Sequence, residues 1–206
     1  MKRVFDIVAA AIGLLLALPV LAVLAFGVAA GMGRPVLFKQ VRVGLGGRDF
    51  ALRKFRSMRE AFDPEGRPLP DEERVTPLGR FLRRSRLDEL PELWLILTGA
   101  MSFVGPRPLP RAILDARGAT AARSTVRPGL TGLAQVSGNA SLTDEEKFAV
   151  DLLYIQSASL RLDLMILLRT AKVVFAGERR DEQVVRQAMA QVEASQGGFQ
   201  PGGAAL

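Results

Sequence analysis

The sequence has no cysteine and no histidine among its 206 residues. It therefore excludes disulfides, thiolate nucleophiles, Ser-His-Asp or Cys-His relays, and the usual zinc sites built from cysteine and histidine. Any chemistry must use carboxylates, hydroxyls, lysine, arginine or tyrosine. One tyrosine and one tryptophan also offer few rings on which nucleic-acid bases could stack, although eleven phenylalanines are present.

Hydrophobic residues are abundant, at 49% of the chain, and the net charge is +7. This composition excludes a mostly disordered chain, and the length is typical of one or two domains. Arginine supplies most of the positive charge, and its planar guanidinium suits phosphate groups. The composition therefore points to nucleic acid, anionic lipid headgroups or phosphorylated small molecules as partners.

A long apolar segment lies near the N-terminus, with no charged residue between Asp6 and Arg34. As one straight helix this segment could span a bilayer. Pro19 lies near its middle and has no N–H, so a kink or break is expected, and each half alone is too short to span. Basic residues flank both ends, which places both ends on the cytoplasmic side by the positive-inside rule. The pattern favours a re-entrant helix-break-helix over residues 1–34.

Three alternatives for this segment are a cleaved signal peptide, a membrane-spanning anchor and a buried helix of a soluble protein. The apolar run is far longer than the h-region of roughly 7–15 residues in signal peptides. A spanning anchor stays open as an alternative, because membrane-spanning helices tolerate proline.

The rest of the chain shows one clear β signal and several helix signals. Two short strands around a glycine-rich turn are predicted over residues 35–40 and 50–55. Capping residues and amphipathic spacing predict helices over residues 77–84, 87–97, 144–156 and 160–175. The last of these helices belongs to the core or to the membrane interface, and the apolar N-terminal segment favours the interface. The tail from Gln196 is predicted to be disordered.

Asp88 and Glu89 are the residues best suited to chemistry. They open the helix predicted over residues 87–97, where free N–H groups and the helix dipole favour anions and keep Asp88 ionised. An ionised aspartate can attack phosphorus without help from histidine or cysteine. Mg²⁺ and basic side chains would offset the repulsion between the carboxylate and a phosphate. The competing interpretation is a capping aspartate with a first-turn glutamate, as in many soluble helices.

Basic residues that suit a phosphate occur at several positions, namely Lys54, Arg56, Arg83, Arg86 and Arg107. Pro106 and Pro108 flank Arg107 and exclude regular structure there, so its side chain leaves a stiff loop. Arg127 opens a second turn-rich loop over residues 127–132. Taken singly, each of these two arginines is better interpreted as a solvated residue in a rigid turn.

Seven motifs follow one another along the chain, at residues 2–6, 38–44, 54–58, 87–93, 101–108, 127–132 and 134–136. In this order they resemble the bacterial sugar transferase family, the monotopic phosphoglycosyl transferases that load a sugar phosphate onto a polyprenol phosphate. The resemblance covers residues 2 to about 177. Each motif alone is weak, but their order is highly specific and outweighs the simpler interpretations.

The resemblance implies roles for individual residues. Asp88 corresponds to the nucleophile, and Glu89 to the residue that helps hold Mg²⁺ or assists the acceptor, so both are implied Mg²⁺ ligands. Arg107 helps to shape the substrate site, and Arg127 lies in the loop that meets the nucleotide. The implied phosphate- and substrate-binding positions are Lys54, Arg83, Pro106, Arg107, Pro108, Arg127 and Gln135.

The implied fold is α+β and mostly helical, in a monotopic membrane protein with interfacial amphipathic helices and a short β-hairpin. We expect a re-entrant helix hairpin in residues 1–34, a catalytic domain in residues 35–177, and a C-terminal helix with a disordered tail in residues 178–206. The catalytic face is expected in the cytoplasm, at the bacterial inner membrane. Expected partners are a UDP-sugar, a polyprenol phosphate and membrane lipid, without nucleic acid, and a homodimer is allowed.

The expected reaction transfers a sugar 1-phosphate from a UDP-sugar to the polyprenol phosphate through a covalent intermediate on Asp88, and releases UMP. It would be the first membrane step of a glycoconjugate synthesis such as that of an exopolysaccharide. The alternative is a basic, membrane-anchored module that binds anionic lipid or nucleic acid without catalysis. That alternative explains the charge and the apolar segment, but not the Asp88-Glu89 pair among several arginines.

The sequence departs from the family pattern at three places. Leu18 precedes Pro19 where a serine is frequent, and Leu133 replaces a frequent tryptophan. Asn139-Ala140 follow Gly138 where Arg-Asn is common. The resemblance therefore assigns no sugar or nucleotide contact to the loop after Gly138.

Overall fold

The computed structural model describes residues 1–197, with side chains through residue 194. The chain forms two compact units. The N-terminal unit holds residues 1–44 and 48–103, and the C-terminal unit holds residues 45–47 and the chain from Val104 onward. The tail is predicted to be disordered from Gln196, but Gln196 and Gly197 belong to a helix. The rest of the predicted disordered tail, residues 198–206, lies outside the described residues.

The N-terminal unit contains, in chain order, α1 (Lys2–Met32), β1 (Leu37–Val43), β2 (Asp49–Phe55), α2 (Asp71–Arg74), α3 (Pro77–Ser85), a 3-10 helix (Leu87–Glu92) and α4 (Leu93–Thr98). β3 (Ser102–Val104) crosses the boundary between the units. The C-terminal unit contains a 3-10 turn (Leu45–Gly47), α5 (Arg111–Asp115), α6 (Thr120–Arg123), β4 (Gly129–Thr131), α7 (Leu133–Val136), a 3-10 turn (Asn139–Ser141), α8 (Asp144–Ser157), α9 (Leu160–Ala176) and α10 (Glu182–Gly197). The mixture of many helices with short antiparallel strands is the α+β class that the sequence predicts.

The predicted hairpin and three of the predicted helix starts are confirmed. β1 and β2 pair antiparallel, with Leu37 opposite Phe55. The Thr76 side chain accepts a hydrogen bond from Gly79 N at the start of α3, and Ser159 caps α9 in the same way. Thr143 opens α8 with the predicted capping box. Local side-chain chemistry is sufficient to place these boundaries.

α1 is one continuous helix with Pro19 inside it, so the predicted break into two helices is not observed. A proline removes one backbone hydrogen bond and crowds the preceding turn. The long runs of alanine and leucine on both sides are strong helix formers and offset that loss. Within residues 1–197, α1 is the one helix whose length and composition would allow it to cross a membrane.

Both halves of α1 pack on the N-terminal unit. Near its start, the Arg3 guanidinium donates to the carbonyls of Ile96 (2.6 Å) and Leu97 (2.9 Å), and the Asp6 carboxylate accepts from Phe103 N (3.2 Å). Near its end, Leu24 and Val28 enter a buried cluster with Phe55 and Leu82. The opposite side of the helix leaves large apolar side chains exposed, including Leu15, Leu16, Val23 and Phe26.

In the C-terminal unit, two loops meet backbone to backbone through glycines. Gly105 N donates to Thr131 O (3.0 Å), and Gly129 N donates to Pro106 O (2.9 Å). A Cβ atom on Gly129 would lie 2.1 Å from Gly105 N, so no side chain fits there. The turn-rich loop predicted over residues 127–132 therefore contains β4, a strand that glycine content alone argues against.

α9 has one buried side and one exposed apolar side. Asp163 and Ile166 are buried, whereas Leu164, Leu168 and Phe175 are exposed, and Phe175 is 91% exposed. This arrangement is the amphipathic helix that the sequence predicts.

Candidate active site

Asp88 is a buried carboxylate, 5% exposed, in the second position of the 3-10 helix. The predicted α-helix over residues 87–97 is instead this 3-10 segment followed by α4. Arg86, with φ of 55°, ends α3 in the left-handed conformation and takes the cap position itself. Asp88 is therefore not the N-cap, and the interpretation of Asp88 as a simple helix cap is wrong.

Burial raises the pKa of Asp88 above its ordinary value, and the charges of Lys54, Arg83 and Arg86 oppose that rise. The loss of hydration on burial is thus the largest cause of this shift in pKa, and it opposes ionisation of the carboxyl group. A carboxylate with a raised pKa is more basic and hence a better nucleophile. The nearby cations supply the positive charge that an incoming phosphate requires.

The basic residues beside Asp88 are held in place by specific contacts. Arg83 Nε donates to Ser57 Oγ (2.8 Å). α3 approaches that segment so closely that a Cβ on Gly79 would lie 1.8 Å from Ser57 O. The Lys54 ammonium lies 5.8 Å from the ring centre of Phe38. Arg83 and Lys54 are therefore presented by a rigid part of the unit.

Arg56 has a different environment from the other predicted phosphate-binding residues. It is buried, and its Nη1 donates to Pro35 O (3.0 Å). Its guanidinium therefore holds the chain that leads into β1, which is a structural role.

Glu89 lies next to Asp88, and its carboxylate is 3.7 Å from Arg86 Nη1. Within residues 1–197, no three histidine, cysteine, aspartate or glutamate side chains gather into a group that could enclose a metal ion. Mg²⁺ is usually held by one or two carboxylates together with substrate phosphates and water. Asp88 and Glu89 fit this open type of site, and they do not fit a cage made of protein ligands alone.

The C-terminal unit contains a pocket of about 250 Å³. Polar and aromatic side chains line it, among them Arg107, Arg123, Gln135, Asn139, Lys147 and Phe148. Gln135 Nε2 donates to Leu130 O (3.0 Å), whereas its buried Oε1 has no hydrogen-bond partner. That oxygen is an acceptor available to a ligand.

A buried ion pair supports the loop that carries Arg107. Arg123 and Asp151 are both buried and form a direct salt bridge, and Arg123 Nη2 also donates to Arg107 O (2.7 Å). Burial raises the pKa of Asp151, and the charge of Arg123 opposes that rise. Neither residue is singled out from the sequence. A charged residue at position 151, on the inward side of α8 between Val150 and Leu153, is the one sequence signal that could have identified the pair.

The remaining predicted site residues also lie in the C-terminal unit. Pro106 and Pro108 are buried beside the exposed Arg107, which keeps that arginine on a stiff loop. Arg127 is half-buried and is not among the side chains that line the pocket; its carbonyl lies against Gly105. The predicted site residues thus form two sets, the Asp88 set in one unit and the Arg107 and Gln135 set in the other.

Comparison with known proteins identifies relatives of this sequence. The family model described as bacterial sugar transferase matches residues 1–177. Uncharacterized sugar transferase EpsL of Bacillus subtilis is 43% identical over 180 residues, which are 86% of this chain and 89% of that protein. The UDP-glucose:undecaprenyl-phosphate glucose-1-phosphate transferase of Caulobacter vibrioides is 44% identical over 180 residues, 82% of this chain and 67% of its own length. An Escherichia coli transferase of the same name is 38% identical over 191 residues, 86% of this chain but only 40% of its own length.

Proposed function

Because the chain belongs to the bacterial sugar transferase family, we propose that it transfers a sugar 1-phosphate from a UDP-sugar to undecaprenyl phosphate and releases UMP. Relatives in Caulobacter vibrioides and Escherichia coli carry the name of such an activity with UDP-glucose. The class of enzyme is a phosphoglycosyl transferase. The observation that carries the proposal is the buried, non-capping Asp88 with three basic side chains acting on it.

In the proposed first step, a carboxylate oxygen of Asp88 attacks the sugar-bearing phosphorus of the UDP-sugar. A phosphorus–oxygen bond forms, the bond to the bridging oxygen breaks, and UMP leaves with the electron pair. Lys54 and Arg83 offset the negative charge that the carboxylate and the diphosphate bring together. The product is an acyl phosphate in which the sugar phosphate is joined to Asp88.

In the proposed second step, a phosphate oxygen of undecaprenyl phosphate attacks the same phosphorus. The bond to Asp88 breaks, the carboxylate is regenerated, and the sugar becomes linked to the lipid through a diphosphate. Bound Mg²⁺ would neutralise phosphate charge, and Asp88 and Glu89 are the residues that would hold it. Glu89, beside Arg86, would then orient the acceptor phosphate.

The pocket of the C-terminal unit is the proposed binding place for the nucleotide part of the substrate. Arg107 supplies a guanidinium on a stiff loop, and the Arg123–Asp151 pair fixes the backbone of that loop. The unpaired Oε1 of Gln135 can accept from an N–H or O–H of the ligand. These contacts would bind the nucleotide part of the substrate.

We also propose that the protein is monotopic and enters the cytoplasmic membrane from the cytoplasmic side. α1 is about 46 Å long, more than the hydrocarbon core of about 30 Å. Arg3 and Asp6 at one end and Leu24 and Val28 at the other contact the same compact unit. A crossing would separate ends that are both bound to that unit, so both ends of α1 are proposed to stay on the cytoplasmic side, with the exposed apolar side of the helix in lipid. The exposed apolar side of α9 would lie at the membrane interface.

The topology is tested with cysteines introduced at Lys2 and Arg34, since the chain has no cysteine of its own. A membrane-impermeant thiol reagent should label neither position in intact cells and both after the cells are opened. Labelling of position 2 in intact cells would show that α1 spans the membrane and would rule out the monotopic arrangement.

The activity is tested with purified protein, a panel of UDP-sugars, Mg²⁺ and undecaprenyl phosphate, with UMP release as the readout. We expect UMP release with at least one UDP-sugar, and loss of that release on chelation of Mg²⁺. Absence of UMP release with every UDP-sugar, together with retained binding to anionic vesicles, would instead support the non-catalytic lipid-binding module.

A further inference from the structure

Residues 178–197, here called the C-terminal segment, follow α9 and lie beyond residue 177, where the match to the family ends. The segment is nevertheless bound to the rest of the C-terminal unit. Val185 and Ala188 of α10 are buried, and α10 packs on α8. Asp181 N donates to Ser137 O (2.9 Å), and the Asp181 carboxylate pairs with Arg169 (2.9 Å). The segment is therefore part of the folded unit.

The same segment holds the loop of residues 138–141, here called the Asn139 loop, along most of its length. Glu178 accepts two hydrogen bonds from it, from Asn139 Nδ2 (2.8 Å) and from Ala140 N (3.2 Å). Arg180 Nη1 donates to Ser141 O (2.9 Å). Arg180 is itself held by Glu146 of α8, so the contact to the loop is backed by a regular helix.

Asn139 has a backbone conformation that requires such support. Its φ is +35°, in the left-handed region that residues other than glycine rarely adopt. Strained conformations of this kind persist where surrounding contacts enforce them, and they occur often at functional sites. The Asn139 side chain lines the pocket that also contains Arg107 and Gln135.

The contact with Glu178 also decides which atom of the Asn139 amide is free for a ligand. A carboxylate accepts hydrogen bonds and does not donate them, so Asn139 must turn its NH₂ group toward Glu178. The carbonyl Oδ1 of Asn139 is then the atom left for the pocket. With the unpaired Oε1 of Gln135, the pocket offers amide oxygens to a ligand that carries N–H or O–H donors.

We propose that Glu178 and Arg180 are positioning residues, which hold the Asn139 loop so that Asn139 Oδ1 accepts a hydrogen bond from the bound UDP-sugar. The inference rests on the proposed function, because it takes the pocket as the place of the UDP-sugar. The donor on the ligand is a sugar hydroxyl or the uracil N–H. In either case a segment beyond the family match tunes how tightly the substrate binds.

The test measures kcat and KM for several UDP-sugars, and inhibition by UMP, in Glu178→Ala, Asn139→Ala and the double variant. Each single variant should raise KM by about fivefold to tenfold, the size of one lost hydrogen bond, with kcat within about twofold of the wild type. The double variant should be no worse than Asn139→Ala, since both changes remove the same contact. Glu178→Gln, whose side-chain oxygen can still accept from Asn139, should recover most of the loss.

Glu193→Gln is the matched control, because it removes an exposed carboxylate from a later turn of α10 and leaves Arg180 and its partners unchanged. It should leave KM unchanged. A change in the ratio of KM values between UDP-sugars places the donor on the sugar, and an equal change for all sugars and for UMP places it on the nucleotide.

Unchanged KM values in Glu178→Ala and Asn139→Ala, with an active wild type, would overturn the positioning role alone. A fall in kcat and in the unfolding temperature with KM unchanged would also overturn it, by showing a merely structural contact. A wild type that releases UMP from no UDP-sugar would refute the proposed function and this inference with it.

Discussion

Each compact unit buries an aspartate among basic residues, but the two aspartates are bound differently. Asp151 forms a direct salt bridge with Arg123, whose guanidinium also holds Arg107 O. Burial raises the pKa of Asp88, and the charges of Lys54, Arg83 and Arg86 oppose that rise to a smaller extent. Removing one partner of a buried, directly bonded ion pair is strongly destabilising, whereas cations near a carboxylate can also offset the charge of an incoming phosphate. We therefore propose a structural role for Asp151 and a chemical role for Asp88.

The largest effect is expected from Asp88→Asn, which should lower the rate of UMP release by at least about a thousandfold. An amide is a far poorer nucleophile than a carboxylate. Because burial raises the pKa of Asp88 in the fold, ionisation of Asp88 costs stability as the pH rises through that pKa. The variant lacks this cost, so its unfolding temperature at pH 7 should equal or exceed that of the wild type. A clear loss of stability would assign Asp88 a structural role like that of Asp151.

Asp151→Ala should, in contrast, mainly lower stability, with a loss of about 3–5 kcal/mol in the free energy of unfolding. The change leaves the Arg123 guanidinium buried without its counter-ion, and Arg123 also supports the loop of Arg107. Denaturant unfolding followed by circular dichroism measures the effect. Glu145→Ala, at an exposed position at the start of the same helix, is the control and should change stability by less than about 0.5 kcal/mol. Wild-type stability in Asp151→Ala would contradict the comparison.

A smaller effect is expected from Glu89→Gln, which should slow UMP release and raise the Mg²⁺ concentration needed for half-maximal rate by about tenfold. The amide keeps the shape of the side chain but removes one negative charge beside Asp88. A titration of rate against Mg²⁺ measures the change. An unchanged titration and rate would remove Glu89 from the site and leave Asp88 as the only carboxylate there with a chemical role.

The smallest expected effect is the loss of the Glu146–Arg180 ion pair in acid. Arg180 lowers the pKa of Glu146 to about 2, from an ordinary value of 4.5. The contribution of this pair is therefore present above pH 4.5 and is lost as the pH falls toward 2. The protection factors of the α10 amides, which correct each exchange rate for the pH dependence of an unstructured amide, should fall over that range in the wild type, and they should already be lower in Glu146→Gln at pH 5. Equal exchange in the two proteins at pH 5 would show that the pair does not hold the segment.

The sequence predicts those features that depend on neighbouring residues. Thr76, Thr143 and Ser159 mark helix starts because a cap acts within one turn, and the β1–β2 hairpin follows from alternation around glycines. Asp88 and Glu89 are found because two adjacent carboxylates near basic residues suit phosphate chemistry. The features that sequence reasoning misses depend on contacts between distant segments.

Pro19 predicts a break that the structure does not have, whereas the C-terminal unit contains features that the sequence does not predict. Proline predicts a break in α1, but the surrounding helix formers keep the helix continuous. β4 exists because Gly129 packs on Gly105, 24 positions away along the chain. The partner of Asp151 is likewise 28 positions away, so no local pattern identifies Arg123. Packing between distant segments decides these features, and a single sequence does not display it.

The central claim is that Asp88 reacts and Asp151 does not, and intact-mass measurement tests it most directly. The wild type is incubated with Mg²⁺ and its preferred UDP-sugar, without undecaprenyl phosphate, and the modified residue is located by peptide mapping. We expect a mass increase of one sugar phosphate at Asp88, which disappears when undecaprenyl phosphate is added and never forms in Asp88→Asn. An adduct at another residue, or one that persists in Asp88→Asn, would contradict the account.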